Sequence, residues 1–242
     1  MGAHMRKLVV KVLAAASLTL AVAGIAAAAD MPTKAPAAPV VAPVNWTGFY
    51  VGLNAGYGWG KTDHTNTTSG VTTGDFDIKG GVVGLTYGFN WQISRVVLGF
   101  EGDFDYAHIN GTGGLAVCGA GCFTLTKWIS TDRARVGWDF NGLLVYGTGG
   151  VAFADVQSGL VPCTNGLTCI SKDVTGWTVG GGIEAMFYRN WSAKIEYLHY
   201  DFGTKAGWQA AGPSTVTALD RGNIVRAGIN YHFNPFVPAR LN

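Results

Sequence analysis

The chain has 242 residues, of which 48% are hydrophobic but only 13% charged, against roughly 25% charged in soluble domains. Thirty-six glycines beside eight Trp, nine Tyr and twelve Phe do not suit a helical protein, because Gly costs about 1 kcal/mol in a helix interior; they suit many strands joined by glycine-rich turns. The formal charge of +2 becomes −1 once Arg6, Lys7 and Lys11 of the leader are removed (14 basic against 15 acidic residues). No basic patch is left, and nucleic acid is excluded as a partner.

The basic start Arg6-Lys7-Leu8-Val9-Val10-Lys11 leads into a charge-free run, Val12–Ala29, that closes on four alanines. Residues 1–28 are therefore expected to be a secretory signal peptide, cut after Ala28. A single anchoring helix is the alternative, since the run is long enough to span a bilayer, but its alanine-rich second half is weakly apolar. Met1–His4, ahead of Met5, read as an expression remnant. Pro32, Pro36, Pro39 and Pro43 then break up residues 29–45, predicting an extended Pro/Ala-rich periplasmic segment.

From Trp46 to Phe233 no charge-free apolar run reaches about 18 residues, so helical membrane spans are excluded. Period-two alternation appears instead, eight times. Bulky apolar residues at odd positions from Phe49 to Trp59 alternate with Gly and Asn. Val83–Trp91, Val96–Tyr106, Trp128–Trp138, Leu143–Ala154, Trp177–Ala185, Ala193–Tyr197 and Val225–Phe233 follow, the fifth less clearly patterned. Short connections at Gln92–Ser94, Asp139–Gly142 and Tyr188–Asn190 alternate with long ones at about 60–75, 107–124, 155–174 and 203–222. Asn141-Gly142 is a strong hairpin signal. Trp91, Trp138 and Trp191 lie by the short turns, and Trp59, Tyr106 and Trp128 toward the long loops. Strict short–long alternation with two aromatic girdles predicts an all-β, eight-stranded, antiparallel, up-and-down transmembrane barrel in the outer membrane. Its short turns are periplasmic and its long loops external. The barrel is expected over residues 46–233 and a C-terminal tail over 234–242.

The chain also resembles the small outer-membrane β-barrel surface proteins of alphaproteobacteria, often called the porin family. The resemblance rests on Ala29-Asp30-Met31-Pro32 and Lys34-Ala35-Pro36, on Trp46-Thr47-Gly48-Phe49-Tyr50-Val51-Gly52, on Tyr146-Gly147-Thr148-Gly149-Gly150-Val151-Ala152, and on the closing Arg226-Ala227-Gly228-Ile229-Asn230-Tyr231-His232-Phe233. It implies surface-exposed loops and a contribution to envelope integrity; some relatives bind haem. It also implies that the last strand's aromatics, here Tyr231 and Phe233, are read by the barrel-insertion machinery. Two features depart from the family pattern. Nine residues follow Phe233, with Pro235 and Pro238 unable to extend a sheet, and Asp132 falls on the lipid face.

Nine charges take inward positions: Glu101, Asp103, Asp105, Arg133, Arg135, Glu184, Lys194, Glu196 and Arg226. An eight-stranded barrel is just wide enough for side chains to fill it. The first reading is therefore a salt-bridged plug, and the second a narrow charge-lined path for water or small ions. Cys118, Cys122, Cys163 and Cys169 form two close pairs in predicted external loops and read as disulfides in an oxidising compartment, with three pairings open and local pairing the simplest. No His lies beside either pair in sequence, so no metal is assigned. Gly56-x-Gly58-x-Gly60-Lys61 lacks the following helix of a phosphate loop. His199 and Asp201 share a face without a nearby serine, and no catalytic set is assigned. His64 and His108 are loop histidines within reach of haem. The expected partners are outer-membrane lipid, the insertion machinery and, as alternatives, small solutes or haem; no cofactor is assigned. The leading function is a structural surface barrel, ahead of passive diffusion and of loop-mediated binding of haem or a host surface.

Overall fold

Each alternating segment forms one strand of the computed structural model, which describes residues 44–114, 118, 121–162, 169–209 and 215–233. The expected signal peptide, most of the Pro/Ala-rich segment, and the tail at 234–242 lie outside the described residues. The strands are β1 (Gly48–Asn66), β2 (Phe76–Ile93), β3 (Val96–Gly113), β4 (Cys122–Asp139), β5 (Leu143–Leu160), β6 (Cys169–Tyr188), β7 (Trp191–Gln209) and β8 (Thr215–Phe233). Each pairs antiparallel with its chain neighbours, and β1 pairs with β8 from Phe49↔Phe233 to Asn66↔Val216, closing the ring. Closure leaves no strand edge, so the ladders satisfy the strand backbones without water, apart from register shifts at Tyr106/Ile109, Thr126/Trp128, Met186/Tyr188, Asp201/Thr204 and Ala206/Gln209.

The alternation sets which side chains meet lipid. Phe49, Leu53, Leu85, Phe100, Val136, Ile183, Ile195 and Ile229 are exposed on the outside, while Asn54, Thr86, Arg133, Thr178, Glu184 and Asn230 are buried inside. Trp91, Trp138 and Trp191 ring one end of this apolar band, and Trp59, Tyr106 and Trp177 ring the other. That is the exterior of a membrane-spanning barrel.

The strands run well past the outer aromatic ring. The long connections expected at 60–75, 107–124, 155–174 and 203–222 contract to 67–75, 114–121, 161–168 and 210–214, because pairing continues through residues assigned to loops. Above the ring the outward residues become polar, as with Lys61, Asp77 and Lys79, while the inward ones turn apolar, as with Ile78 and Ile109. The lipid-facing pattern ends there, but the ladder does not need it.

At the opposite end the turns are tight. Asn141 and Gly142 take φ of 59° and 98°, the left-handed values that Asn-Gly supplies at little steric cost. Val44–Thr47 are not a strand. They fold under the barrel, where Trp46 is wholly buried against Val97, Leu144 and Tyr146. Its indole donates to Asp139 Oδ1 (3.0 Å) and its backbone N–H to Gln92 Oε1 (2.8 Å).

Trp46 thus closes the periplasmic mouth with an apolar ring whose single donor is paired. Trp46→Ala should destabilise the folded barrel by about 3–5 kcal/mol, the range for truncating a buried aromatic. The check is the urea midpoint of the detergent-folded protein; an unmoved midpoint would refute the capping role.

Candidate functional site

All nine predicted inward charges lie inside the barrel, almost free of solvent, and join one network. Arg133, on β4, reaches Glu101 Oε1 (2.7 Å), Asp103 Oδ2 (2.7 Å) and Glu196 Oε1 (2.9 Å). Arg226, on β8, reaches Asp103 Oδ2 (2.6 Å), Asp105 Oδ2 (2.7 Å) and Glu196 Oε2 (2.7 Å). Arg135 holds Glu184 (2.7 Å) and Glu101 (3.2 Å), and Lys194 holds Glu101 (2.9 Å). The Lys194–Glu101 pair joins β7 to β3, four strands round the ring, so the network crosses the lumen rather than lining its wall.

Five carboxylates face four cations, and neutral donors serve the excess acceptors. Tyr50 donates to Glu101 Oε2 (2.7 Å), Tyr146 to Glu196 Oε1 (3.1 Å), Thr131 to Asp103 Oδ2 (2.8 Å) and Asn230 to Glu184 Oε1 (2.7 Å). The Arg135 guanidinium also sits 3.9 Å from the centre of the Tyr146 ring. Room for these long side chains comes from the wall formed by β1 and β2. A Cβ at Gly56 would collide with the Arg226 backbone and Cβ, one at Gly84 with the Asp105 carboxylate, and one at Gly88 with the Tyr50 ring. The Gly56-x-Gly58-x-Gly60 run therefore lines the lumen, not a phosphate.

Above this cage lies an apolar layer that sequence reasoning missed. Ile78, Ile109, Ile129, Val156, Leu198, Tyr200, Phe202 and Ile224 pack with Val82, Ala107, Ala152, Ala154 and Val174 inside the outer extension of the barrel. Four of its members, Ala107, Ile109, Val156 and Val174, fall in stretches that the sequence reading assigned to loops, which concealed the layer. Trp46 lies below the cage, so the lumen is filled at three levels.

The remaining candidates separate. Cys118 and Cys122 form a disulfide, the local pairing. Cys169, at the start of β6, is also disulfide-bonded, and Cys163 lies outside the described residues. His199 Nδ1 meets Asn223 Oδ1 (2.9 Å), and Asp201 accepts from the Gly203 N–H (2.7 Å), so they engage different partners. A serine–histidine–carboxylate group absent from the sequence reading does form. Ser192 Oγ lies 2.6 Å from Glu184 Oε1 and 2.9 Å from His232 Nε2. It is not the arrangement of a nucleophilic triad. The carboxylate touches the serine and the same ring nitrogen, while His232 Nδ1 has no hydrogen-bond partner, and all three side chains are buried.

Neither loop histidine is in a loop. His108 is exposed on the outer face of β3, beside Asn110. His64 is wholly buried on the inner face of β1, and burial lowers its pKa to about 4. Neutral imidazole is thus its form at ordinary pH. Asp132 does face outward, where the Tyr87 hydroxyl donates to it (3.3 Å). The Tyr87 ring reaches it by lying across Gly102, where a Cβ would occupy the same space. Tyr231 and Phe233 face outward at the periplasmic end of β8, with ring centroids 5.0 Å apart.

Comparison with known proteins agrees with this architecture. Residues 15–233 match the family model described as outer membrane protein beta-barrel domain. The chain is 37% identical over 235 residues to a 31 kDa outer-membrane immunogenic protein of Brucella melitensis, an alignment covering 90% of this chain and 98% of that one. It is 35% identical to a 25 kDa outer-membrane immunogenic protein of Brucella abortus (81% and 85% covered) and 34% identical to a 22 kDa outer membrane protein of Rhizobium leguminosarum (81% and 82%).

Removing one member of a buried ion pair leaves its partners uncompensated, at about 3–5 kcal/mol. Arg226→Ala strips three carboxylates at once and should cost at least that much. Thermal unfolding followed by the shift of folded and unfolded bands on gels reads the effect; wild-type stability in the variant would remove the cage from the account.

Proposed function

The chain belongs to the outer membrane protein beta-barrel family and resides in the outer membrane, and from that premise we propose that it is a structural, non-catalytic barrel that stabilises the envelope and presents loops at the cell surface. The observation that carries this reading is the lumen filled at three levels: Trp46, the charge cage and the apolar layer. A diffusion pathway needs continuous water. Here the charged level consists of side chains bonded to one another, and the level above is packed chiefly with apolar side chains. Similarity to proteins named outer-membrane immunogenic proteins supports surface display of the segments beyond the outer aromatic ring. Tyr231 and Phe233, at the end of β8, serve in this reading as the signal for assembly into outer-membrane lipid.

Planar-bilayer recording tests the sealed lumen directly. The wild-type protein should give no discrete conductance steps, and deletion of its gene should raise cellular sensitivity to detergents and bulky antibiotics. Reproducible single-channel steps from wild-type protein, abolished by filling lumen variants, would replace this reading with passive diffusion.

A further inference from the structure

Where β1 extends above the membrane it brings a histidine to a cysteine pair more than fifty residues away in the chain. His64 and Cys122 are completely buried and Cys118 nearly so, and one ring nitrogen of His64 lies with both sulfurs inside a sphere of mutual separations of 4.8 Å. His64 is held rigidly. Its backbone N–H donates to Thr73 Oγ1 (2.9 Å), its carbonyl accepts from the Thr73 N–H (2.9 Å), and its ring packs against Phe76. Nε2 lies 2.8 Å from Thr124 Oγ1, whereas Nδ1 is buried with no hydrogen-bond partner. A bound ion is one way to satisfy a buried nitrogen left without a partner.

We propose that this corner is a redox-gated copper(I) site with Cys118, Cys122 and His64 as its three ligands. In the disulfide the sulfurs are bonded to each other and carry no thiolate charge, so the site is closed to metal. A dithiol reductant supplies two electrons and two protons, is itself oxidised to a disulfide, and leaves two thiols. Binding of Cu(I) then releases those two protons to solvent. Bonds of about 2.3 Å to sulfur and about 2.0 Å to nitrogen place trigonal donors about 4 Å apart, a spacing the cluster reaches once the sulfurs separate. The Cα atoms of the two cysteines are only 5.2 Å apart, so the thiols stay together after reduction. Two thiolates and one imidazole are a soft set, and three donors without a fourth side chain among the described residues suit Cu(I) better than tetrahedral zinc. Thr124 is the outer partner that fixes the ring: an Nε2–H donated to its hydroxyl leaves the Nδ1 lone pair for metal.

The test uses the intact chain folded in detergent with Cys163→Ser and Cys169→Ser, so that only one cysteine pair remains. The protein is reduced with dithiothreitol, desalted without oxygen and titrated with Cu(I) against bicinchoninate. One equivalent should bind to the reduced protein and none to the oxidised protein, a comparison that needs no variant in the site. His64→Ala and Thr124→Val should each weaken binding by about tenfold or more with two titratable thiols retained and the folded gel band unchanged. Absence of Cu(I) uptake by reduced protein, tighter binding of Zn(II) than Cu(I), or wild-type affinity in His64→Ala would overturn the proposal.

Discussion

A charged side chain on the inner wall of an eight-stranded barrel has neither bulk water nor lipid headgroups to solvate it, so it must be met by other side chains. Arg133, Arg135, Lys194 and Arg226 meet Glu101, Asp103, Asp105, Glu184 and Glu196 across the lumen. Desolvating a charge costs several kcal/mol per ion, and pairing offsets this only when the geometry is good and the leftover lone pairs are satisfied. Tyr50, Tyr146, Thr131 and Asn230 supply much of that second requirement, while Asp103 Oδ1 and Asp105 Oδ1 are left without a hydrogen-bond partner. The rest of the interior is arranged around it: glycines on β1 and β2 make space, and apolar layers above and below keep solvent away from the pairs.

The cage also constrains which strands stand where. A slip of one residue in any strand turns its inward set to lipid. A slip of two would carry Arg226 away from Asp103 and Asp105, and Arg133 away from Glu101. Charges on β3, β4, β6, β7 and β8 therefore check the register of most of the ring, while the lipid face, rich in interchangeable Leu, Val, Ile and Phe, distinguishes registers poorly. Register checking of this kind is what nine charged groups can add that apolar filling of the lumen could not.

Much of this was legible in the sequence because a membrane barrel exposes its period-two pattern without interruption. Eight strands and the inward placement of all nine charges follow from alternation, whereas spacing left three cysteine pairings open and made the local Cys118–Cys122 pair only the simplest of them. The strand extensions were not legible. Their outward residues are polar, as in Lys61 and Asp77, so a reader looking for a lipid-facing stripe stops at Trp59. For the same reason Ile109 and Val156 passed as loop residues, and His64 passed as a loop histidine. The approach of His64 to Cys118 and Cys122 depends on closing β1 against strands far along the chain, which no local spacing encodes. Asp132 on the lipid face was legible, but its partner was not, because the Tyr87 contact runs over a glycine on the intervening strand.

The central claim is that ion pairs across the lumen are energetically coupled rather than merely close. A double-mutant cycle on Arg133 and Glu196, 2.9 Å apart from β4 to β7, tests it most directly. Unfolding free energies of wild type, Arg133→Met, Glu196→Gln and the double variant would be compared in detergent. The account predicts a coupling energy of about 1–3 kcal/mol, with the double variant more stable than the sum of the single losses implies. Additivity within about 0.5 kcal/mol would contradict it, leaving the charges as passive filling of a barrel held together by its wall alone.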